Sequence, residues 1–284
     1  MRLGATIGQY AEFPDPEDYV AECRKWKYRS APCPKVNITD REKIRSIKEA
    51  FSRSDIVIGE VQAWVNPLDP RQEIRKQNLK QIAESLAIAD EAEAVCCVTV
   101  VGSYDTRDEI GCDNPHPNNF SDRCFEEVVE WTRKVLKEVQ PRRTKLALEI
   151  SPWTLLDGPE VYRRLIDAVQ HPGLGVHLDP ANAIRDGHLF YATTGLLNRC
   201  FDLLGQSIVC CHAKDLYHGP VLNQINLVEV IPGTGVLDYR TYLARIEQIS
   251  PETPLIIEHL TKPEHYAQAA AYIRAVAREV GVTA

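Results

Sequence analysis

Short apolar runs rich in β-branched residues alternate with longer amphipathic stretches from one end of the chain to the other. Eight runs have the length and composition of strands: RLGATI (2–7), YRSAPC (28–33), DIVIGEV (55–61), AVCCVTVVG (94–102), KLALEI (145–150), GLGVHLD (173–179), SIVCCHA (207–213) and PLIIEHL (254–260). Residues 71–93 place Ile74, Leu79, Ile82, Leu86 and Ile88 on one side of a helix and charges on the other, and further helical stretches run over 121–139, 159–169, 239–248 and 264–279. Strands separated by helices pair in parallel through right-handed crossovers. Eight such units in 284 residues fit an α/β fold of the (β/α)8 TIM-barrel type, one domain over 1–284, better than an open doubly wound sheet. No G-x-G-x-x-G or G-x-x-x-x-G-K-[ST] follows the first run, so the nucleotide-binding sheets lose their best support.

In a barrel the site is built at the carboxyl ends of the strands. From the fifth run onward those ends carry Glu149, Asp179, His212 and Glu258. Three carboxylates at one mouth repel each other, and a divalent cation removes the conflict. One imidazole with three carboxylates is a hard, oxygen-rich set that suits Mn²⁺, Mg²⁺ or Co²⁺, with Zn²⁺ also admissible. His177 shares a strand face with Asp179 one layer deeper, as a contact to a metal carboxylate or substrate, or as a hydrogen-bonded core histidine. Glu60 ends the third run and points toward the same mouth as a contact for a substrate hydroxyl. Trp64 and Trp153 follow the third and fifth runs, where a flat apolar wall or ordinary loop packing explains them about equally. Lys214 and Asp215 offer contacts to substrate or to a ligand carboxylate, or a loop salt bridge. His116 reads as a solvated loop residue, and His259, alternating with Glu258, is expected to face away from the barrel interior. Two long connections, 103–120 and 214–238, leave carboxyl ends of strands and are expected to act as lids or pocket walls. Gly233 and Gly235 are expected to allow a tight backbone approach before a helix that Asp238 caps.

The net charge is −7, with acidic and basic residues interspersed, which argues against a nucleic-acid surface and for a small-molecule partner. The amino terminus turns acidic early and has no long apolar region, so neither a signal peptide nor a membrane anchor is expected and a cytoplasmic location follows. A homo-oligomer remains open. Nine cysteines without a C-x-x-C pair read as small core residues of a reduced compartment, not as disulfides or a zinc–thiolate site.

The segments LALEIS, HLDPAN, CHAKD, PGTGVLDY and PLIIEHL, in that order, resemble the xylose-isomerase-like TIM-barrel superfamily, the sugar phosphate isomerase/epimerase family, over nearly the whole chain. The resemblance implies that Glu149, Asp179, His212 and Glu258 bind one divalent metal, Mn²⁺ first, and that Glu149 and Glu258 shuttle protons on opposite faces of the substrate. The expected activity is a metal-dependent isomerase or epimerase of a small sugar, ketose or hydroxy-keto acid, acting through a metal-stabilised enediolate. The alternatives are a dehydratase of the inosose or 3-dehydroshikimate type, in which the same enolate expels a β-hydroxyl as water, and a non-catalytic ligand-binding barrel. Two departures bear on substrate. Asn182 stands where many relatives have a histidine, and it can bond a substrate oxygen but neither bind metal nor carry a proton comparably. The stretch AKDLYHG lacks the arginine of ketose epimerases and offers Lys214, Asp215 and His218 instead.

Overall fold

The computed structural model describes residues 1–9, 12–107, 111–221 and 224–284. Eight parallel strands close a barrel: β1 (Arg2–Ala5), β2 (Ser30–Pro32), β3 (Val57–Gln62), β4 (Cys96–Thr99), β5 (Lys145–Glu149), β6 (Leu174–Leu178), β7 (Ile208–Ala213) and β10 (Pro254–Ile257). Around the barrel β10 lies between β7 and β1, so the last strand closes the ring on the first. The strands are shorter than the apolar runs that announced them. The run 254–260 leaves the sheet after Ile257, and His259 takes φ +58°, which breaks the strand alternation expected there.

The helices α1 (Pro16–Lys25), α2 (Arg41–Arg53), α3 (Gln72–Ala92), α4 (Asp122–Val139), α5 (Pro159–Val169), α6 (Gly187–Tyr191), α7 (Thr193–Leu204), α8 (Tyr239–Ile249) and α9 (Pro263–Val280) lie between the strands. Their starts follow local chemistry: Asp40, Ser121 and Asp238 accept from the backbone N–H of Lys43, Cys124 and Thr241, and Pro16, Pro159 and Pro263 occupy first-turn positions where no N–H is missed. The sequence reading did not single out α1, α2, α6 or α7. For α2 the signal was present, since Ile44, Ile47, Ala50 and Phe51 recur at helical spacing and are all buried. The connection 214–238 is also more regular than expected. It folds into an antiparallel hairpin, β8 (Asp215–His218) with β9 (Leu227–Val230).

The core has two compartments. A large one lies between helices and barrel, and a small one of Cys96, Val98, Ala147, Cys210 and Ile256 fills the barrel interior. The adjacent cysteine pairs straddle that boundary. Cys96 and Cys210 point inward while Cys97 and Cys211 join the outer core, as strand alternation requires. All nine cysteines are free thiols, and seven of them are buried. Among the described residues no helix is long and apolar enough to cross a membrane.

Two buried tyrosines pin the strands beneath the mouth. Tyr162 on α5 accepts from the Leu148 N–H at 3.1 Å, and its hydroxyl proton is shared between the carbonyls of Leu148 and Gly175, each at 2.8 Å. Tyr242 on α8 donates to the carbonyls of His212 at 2.9 Å and Leu178 at 3.3 Å. Each hydroxyl therefore bridges two neighbouring strands just below their ends. Tyr162→Phe leaves those buried groups unpaired, and equilibrium urea denaturation is expected to show a loss of about 1–3 kcal/mol. An unchanged midpoint and slope would show that the bridge contributes nothing.

Candidate metal centre

Glu149 ends β5, Asp179 follows β6, His212 lies at the end of β7 and Glu258 follows β10. Ligand-type atoms of all four lie within 4.8 Å of one another, and all four side chains are buried. The cluster has the composition of a divalent-metal site, and its charge agrees: three carboxylates against the Lys214 ammonium leave two negative charges, which one divalent cation cancels.

The donor atoms themselves test the fit. His212 Nδ1, Asp179 Oδ2 and Glu258 Oε1 are buried and accept or donate no hydrogen bond. His212 Nδ1 is 2.8 Å from Glu258 Oε1, close enough to pair yet outside hydrogen-bond geometry. Lys214 Nζ stands 3.0 Å from Asp179 Oδ2 and 2.8 Å from Glu258 Oε1, and these contacts also miss hydrogen-bond angles. Buried groups left in this state are costly, and a cation lying among them satisfies all three. The residues fit the ion.

Beneath these ligands lies a second polar layer. Glu60, fully buried on β3, places Oε2 2.9 Å from His177 Nε2 and 3.2 Å from His212 Nε2. Its Oε1 accepts from Gln62 Nε2 at 2.8 Å. Burial opposes charge on Glu60, but the two rings beside it hold its carboxyl down to about 2. An ionised Glu60 accepts a hydrogen bond from His212 Nε2–H and so leaves the Nδ1 lone pair facing the cluster, the tautomer a metal needs. His177 Nδ1 is 3.9 Å from Glu149 Oε2. Glu60 was expected at a substrate hydroxyl, and His177, one layer deeper, at a metal carboxylate, at substrate or as a hydrogen-bonded core histidine. With no exposed surface they contact each other and the ligand side chains, because both sit one layer below the strand ends.

The upper layer is held as tightly. Asn182 Nδ2 donates to Glu149 Oε1 at 2.9 Å, so this amide orients a ligand carboxylate. Burial and the neighbouring Glu149 and Glu258 carboxylates push the Asp179 carboxyl above its ordinary range despite Lys214. Burial also opposes charge on Glu258, yet His212 and Lys214 hold it well below its ordinary range. The hairpin supplies a residue the sequence did not signal: Glu229 on β9 lies 3.6 Å from Lys214 Nζ and accepts from His259 Nδ1 at 2.9 Å. His259 thus turns toward the hairpin beside the site, and the positive φ at this position makes that turn.

Asp215 is also placed differently from expectation. It is buried, and its carboxylate accepts from the N–H groups of Leu216, Gly233, Gly235 and Leu237 at 2.9–3.0 Å. It organises the loop before α8. Gly235 has to be glycine there, since a Cβ would lie 2.3 Å from Asp215 Oδ1. Trp153 and Trp64 are 57% and 39% exposed, free to wall a ligand. His116 accepts from the Asn118 N–H at 3.2 Å and caps a short turn, and His218 faces solvent with Nε2 3.2 Å from the Gln224 carbonyl. Part of the connection 103–120, residues 108–110, lies outside the described residues.

Two measurements follow. Metal-stripped protein titrated with Mn²⁺, Mg²⁺, Co²⁺ and Zn²⁺ is expected to melt at higher temperature with at least one ion, and Asp179→Asn is expected to lose that gain. Glu60→Gln, which removes the carboxylate behind His212, is expected to weaken metal affinity by roughly 10–100-fold while the apo protein stays folded. Unaltered affinity in Glu60→Gln would mean that the lower layer only fills space.

The chain matches the family described as xylose isomerase-like TIM barrel over residues 21–276. Among curated proteins none matches it. Among solved structures it is similar to a xylose isomerase-like TIM barrel protein from Mycobacterium smegmatis in complex with magnesium, at 14% identity, covering 98% of this chain and 97% of that one, with a TM-score of 0.72. Endonuclease IV from Thermus thermophilus aligns at 19% identity over 98% and 100% of the two chains with a TM-score of 0.71. D-psicose 3-epimerase from Clostridium cellulolyticum, solved with D-tagatose, aligns at 14% identity over the whole of both chains with a TM-score of 0.69. Identities this low establish a shared fold and leave the reaction open. With the barrel closed and the ligand-bearing strand ends in place, the chain belongs to the xylose isomerase-like TIM barrel family.

Proposed function

We propose that the protein is a divalent-metal-dependent isomerase or epimerase of a small sugar, ketose or hydroxy-keto acid. The observation that carries this reading is a pair of nearly buried glutamates, Glu149 and Glu258, that belong to one ligand cluster yet come from strands separated by β6 and β7 around the ring. Glu149, Asp179, His212 and Glu258 hold the ion, with Mn²⁺ the first choice for this donor set. The ion supplies Lewis-acid stabilisation of negative charge on a carbonyl oxygen and its neighbouring hydroxyl.

The chain's own groups then divide the work. Glu258 and Glu149 reach the substrate from different sides of the mouth. One takes the proton from the carbon beside the carbonyl, and the other returns a proton to a different face or carbon. Asn182 fixes Glu149 through Oε1, so this carboxylate meets the substrate in one orientation. Lys214, whose ammonium is held charged against burial by Asp179 and Glu258, sits beside the carboxylates and can donate to a substrate oxygen. Trp153 and Trp64 offer apolar faces for the carbon side of a sugar. The magnesium complex and the epimerase among the structural relatives support this reading at the level of the fold.

The test is exchange in heavy water. Metal-loaded protein incubated with ketoses and keto acids is expected to place deuterium on carbon, read by NMR, with no loss of water from the product. Glu149→Gln and Glu258→Gln are each expected to slow exchange by about 10²–10⁴-fold. Thermal shift with the ion separates lost chemistry from lost metal. A new enone absorbance without exchange into recovered substrate would make the protein a dehydratase instead. Metal binding with neither signal would leave it a binding barrel.

A further inference from the structure

The metal ligands occupy one arc of the mouth, on β5, β6, β7 and β10. The opposite arc, above β1, β2 and β3, carries none of those four ligands and forms a cleft of about 520 Å³ lined by Thr6, Phe13, Cys33, Lys35, Lys43 and Gln62 among others. Both sides of this cleft are hydrogen-bonded to residues that neighbour the metal ligands. Gln62 donates to Glu60 Oε1 at 2.8 Å and the Cys33 N–H donates to the Glu60 carbonyl at 2.7 Å, so one wall rests on the carboxylate that holds His212. The Thr6 N–H donates to the carbonyl of Ile257 at 2.9 Å, so the other wall is tied to the residue preceding Glu258. In the ring β1 stands next to β10, so the cleft adjoins the ligand-bearing arc at the same barrel mouth.

The cleft's charge is distinctive for a chain with a net charge of −7. Lys35 and Lys43 both line it, and neither makes an ion pair among the described residues. Most cations near the mouth are engaged, Lys214 with Asp179 and Glu258, Arg71 with Asp69 and Arg107 with Asp105. The two lysines come from different elements, Lys35 from the segment after β2 and Lys43 from the first turn of α2, which Asp40 caps. Glu12, exposed, lines the cleft with them, and Asp40 stands at the backbone of Lys43. Phe13 packs edge-on against Tyr19 at 5.2 Å between ring centroids and gives the cleft an apolar side.

We infer that this cleft is the distal substrate subsite and that Lys35 and Lys43 receive a terminal anionic group, a carboxylate or a phosphate, on the carbon chain whose other end meets the metal. The inference rests on the proposed chemistry and narrows its substrate class to acidic sugars. Two ammonium groups recognise an anion as point charges and need no dedicated phosphate-cradling loop.

Calorimetry with three six-carbon probes tests it: D-fructose, 5-keto-D-gluconate and D-fructose 6-phosphate, each added to Mn²⁺-loaded and to metal-stripped protein. At least one anion is expected to bind roughly tenfold tighter than D-fructose, the scale of one charge-assisted contact. Lys35→Ala/Lys43→Ala is expected to erase that preference while D-fructose affinity and the Mn²⁺-induced thermal shift stay unchanged. Whichever anion shows the lysine-dependent preference identifies the group. The inference is overturned if neither anion outbinds D-fructose, or if the double variant keeps the preference. Failure of the proposed function reads out separately, as a wild type that gives no Mn²⁺ shift or no deuterium exchange. In that event the lysine-dependent preference on metal-stripped protein still decides the cleft.

Discussion

Three buried carboxylates meeting at the barrel mouth are the constraint around which the rest of the structure is arranged. Glu149, Asp179 and Glu258 repel one another, and burial raises the cost of each charge. Lys214 offsets part of this, with Nζ within 3.0 Å of two of them, and, against the effect of burial, Glu258, Glu60 and Glu149 push the His212 imidazole well above its ordinary range. What remains is a negative site with unpaired donor atoms converging on a common region, the electrostatic definition of a cation site.

Holding such a site requires rigidity below it, and the fold supplies it in layers. Small side chains, Cys96, Ala147 and Cys210 among them, fill the barrel interior. Above them Glu60 and His177 form a polar floor that fixes the ring of His212. Tyr162 and Tyr242 tie the strands from outside, their buried hydroxyls satisfied by backbone carbonyls just below the ligand-bearing ends. Around the rim, the β8–β9 hairpin brings Glu229 to Lys214 and His259, and Asp215 fastens the following loop through four backbone N–H groups. The mouth is therefore asymmetric, acidic over one arc and lined over the other by two lysines that make no ion pair among the described residues.

The pattern of the chain carried most of the architecture. Eight apolar runs separated by amphipathic stretches permit few arrangements, and strand alternation explains why Cys96 and Cys97 belong to different cores. Alternation left the partner of His259 open: the residue follows the strand with φ +58°, and its half-exposed side chain meets Glu229 of the hairpin. The hairpin was hidden for a related reason. Its β9, LVEV, is short, lacks alternation and has an exposed middle, so its pattern does not separate it from a loop.

By itself the sequence determined the set of ligand types and their order, since carboxylates and a histidine at the ends of otherwise apolar runs are too costly to bury without a shared purpose. The partners that each side chain meets were decided only by the tertiary structure. Glu60 and His177 become the floor beneath the metal ligands because β3 and β6 place them one layer below the strand ends. Asp215 becomes a loop anchor because four N–H groups converge on it, two of them from Gly233 and Gly235 across the hairpin, and Lys35, Lys43 and Gln62 become neighbours only when β1, β2 and β3 close the ring. Spacing along a strand tells which face a side chain occupies. Which layer it occupies, and what stands opposite, depends on the register between strands, and register is a property of the closed barrel.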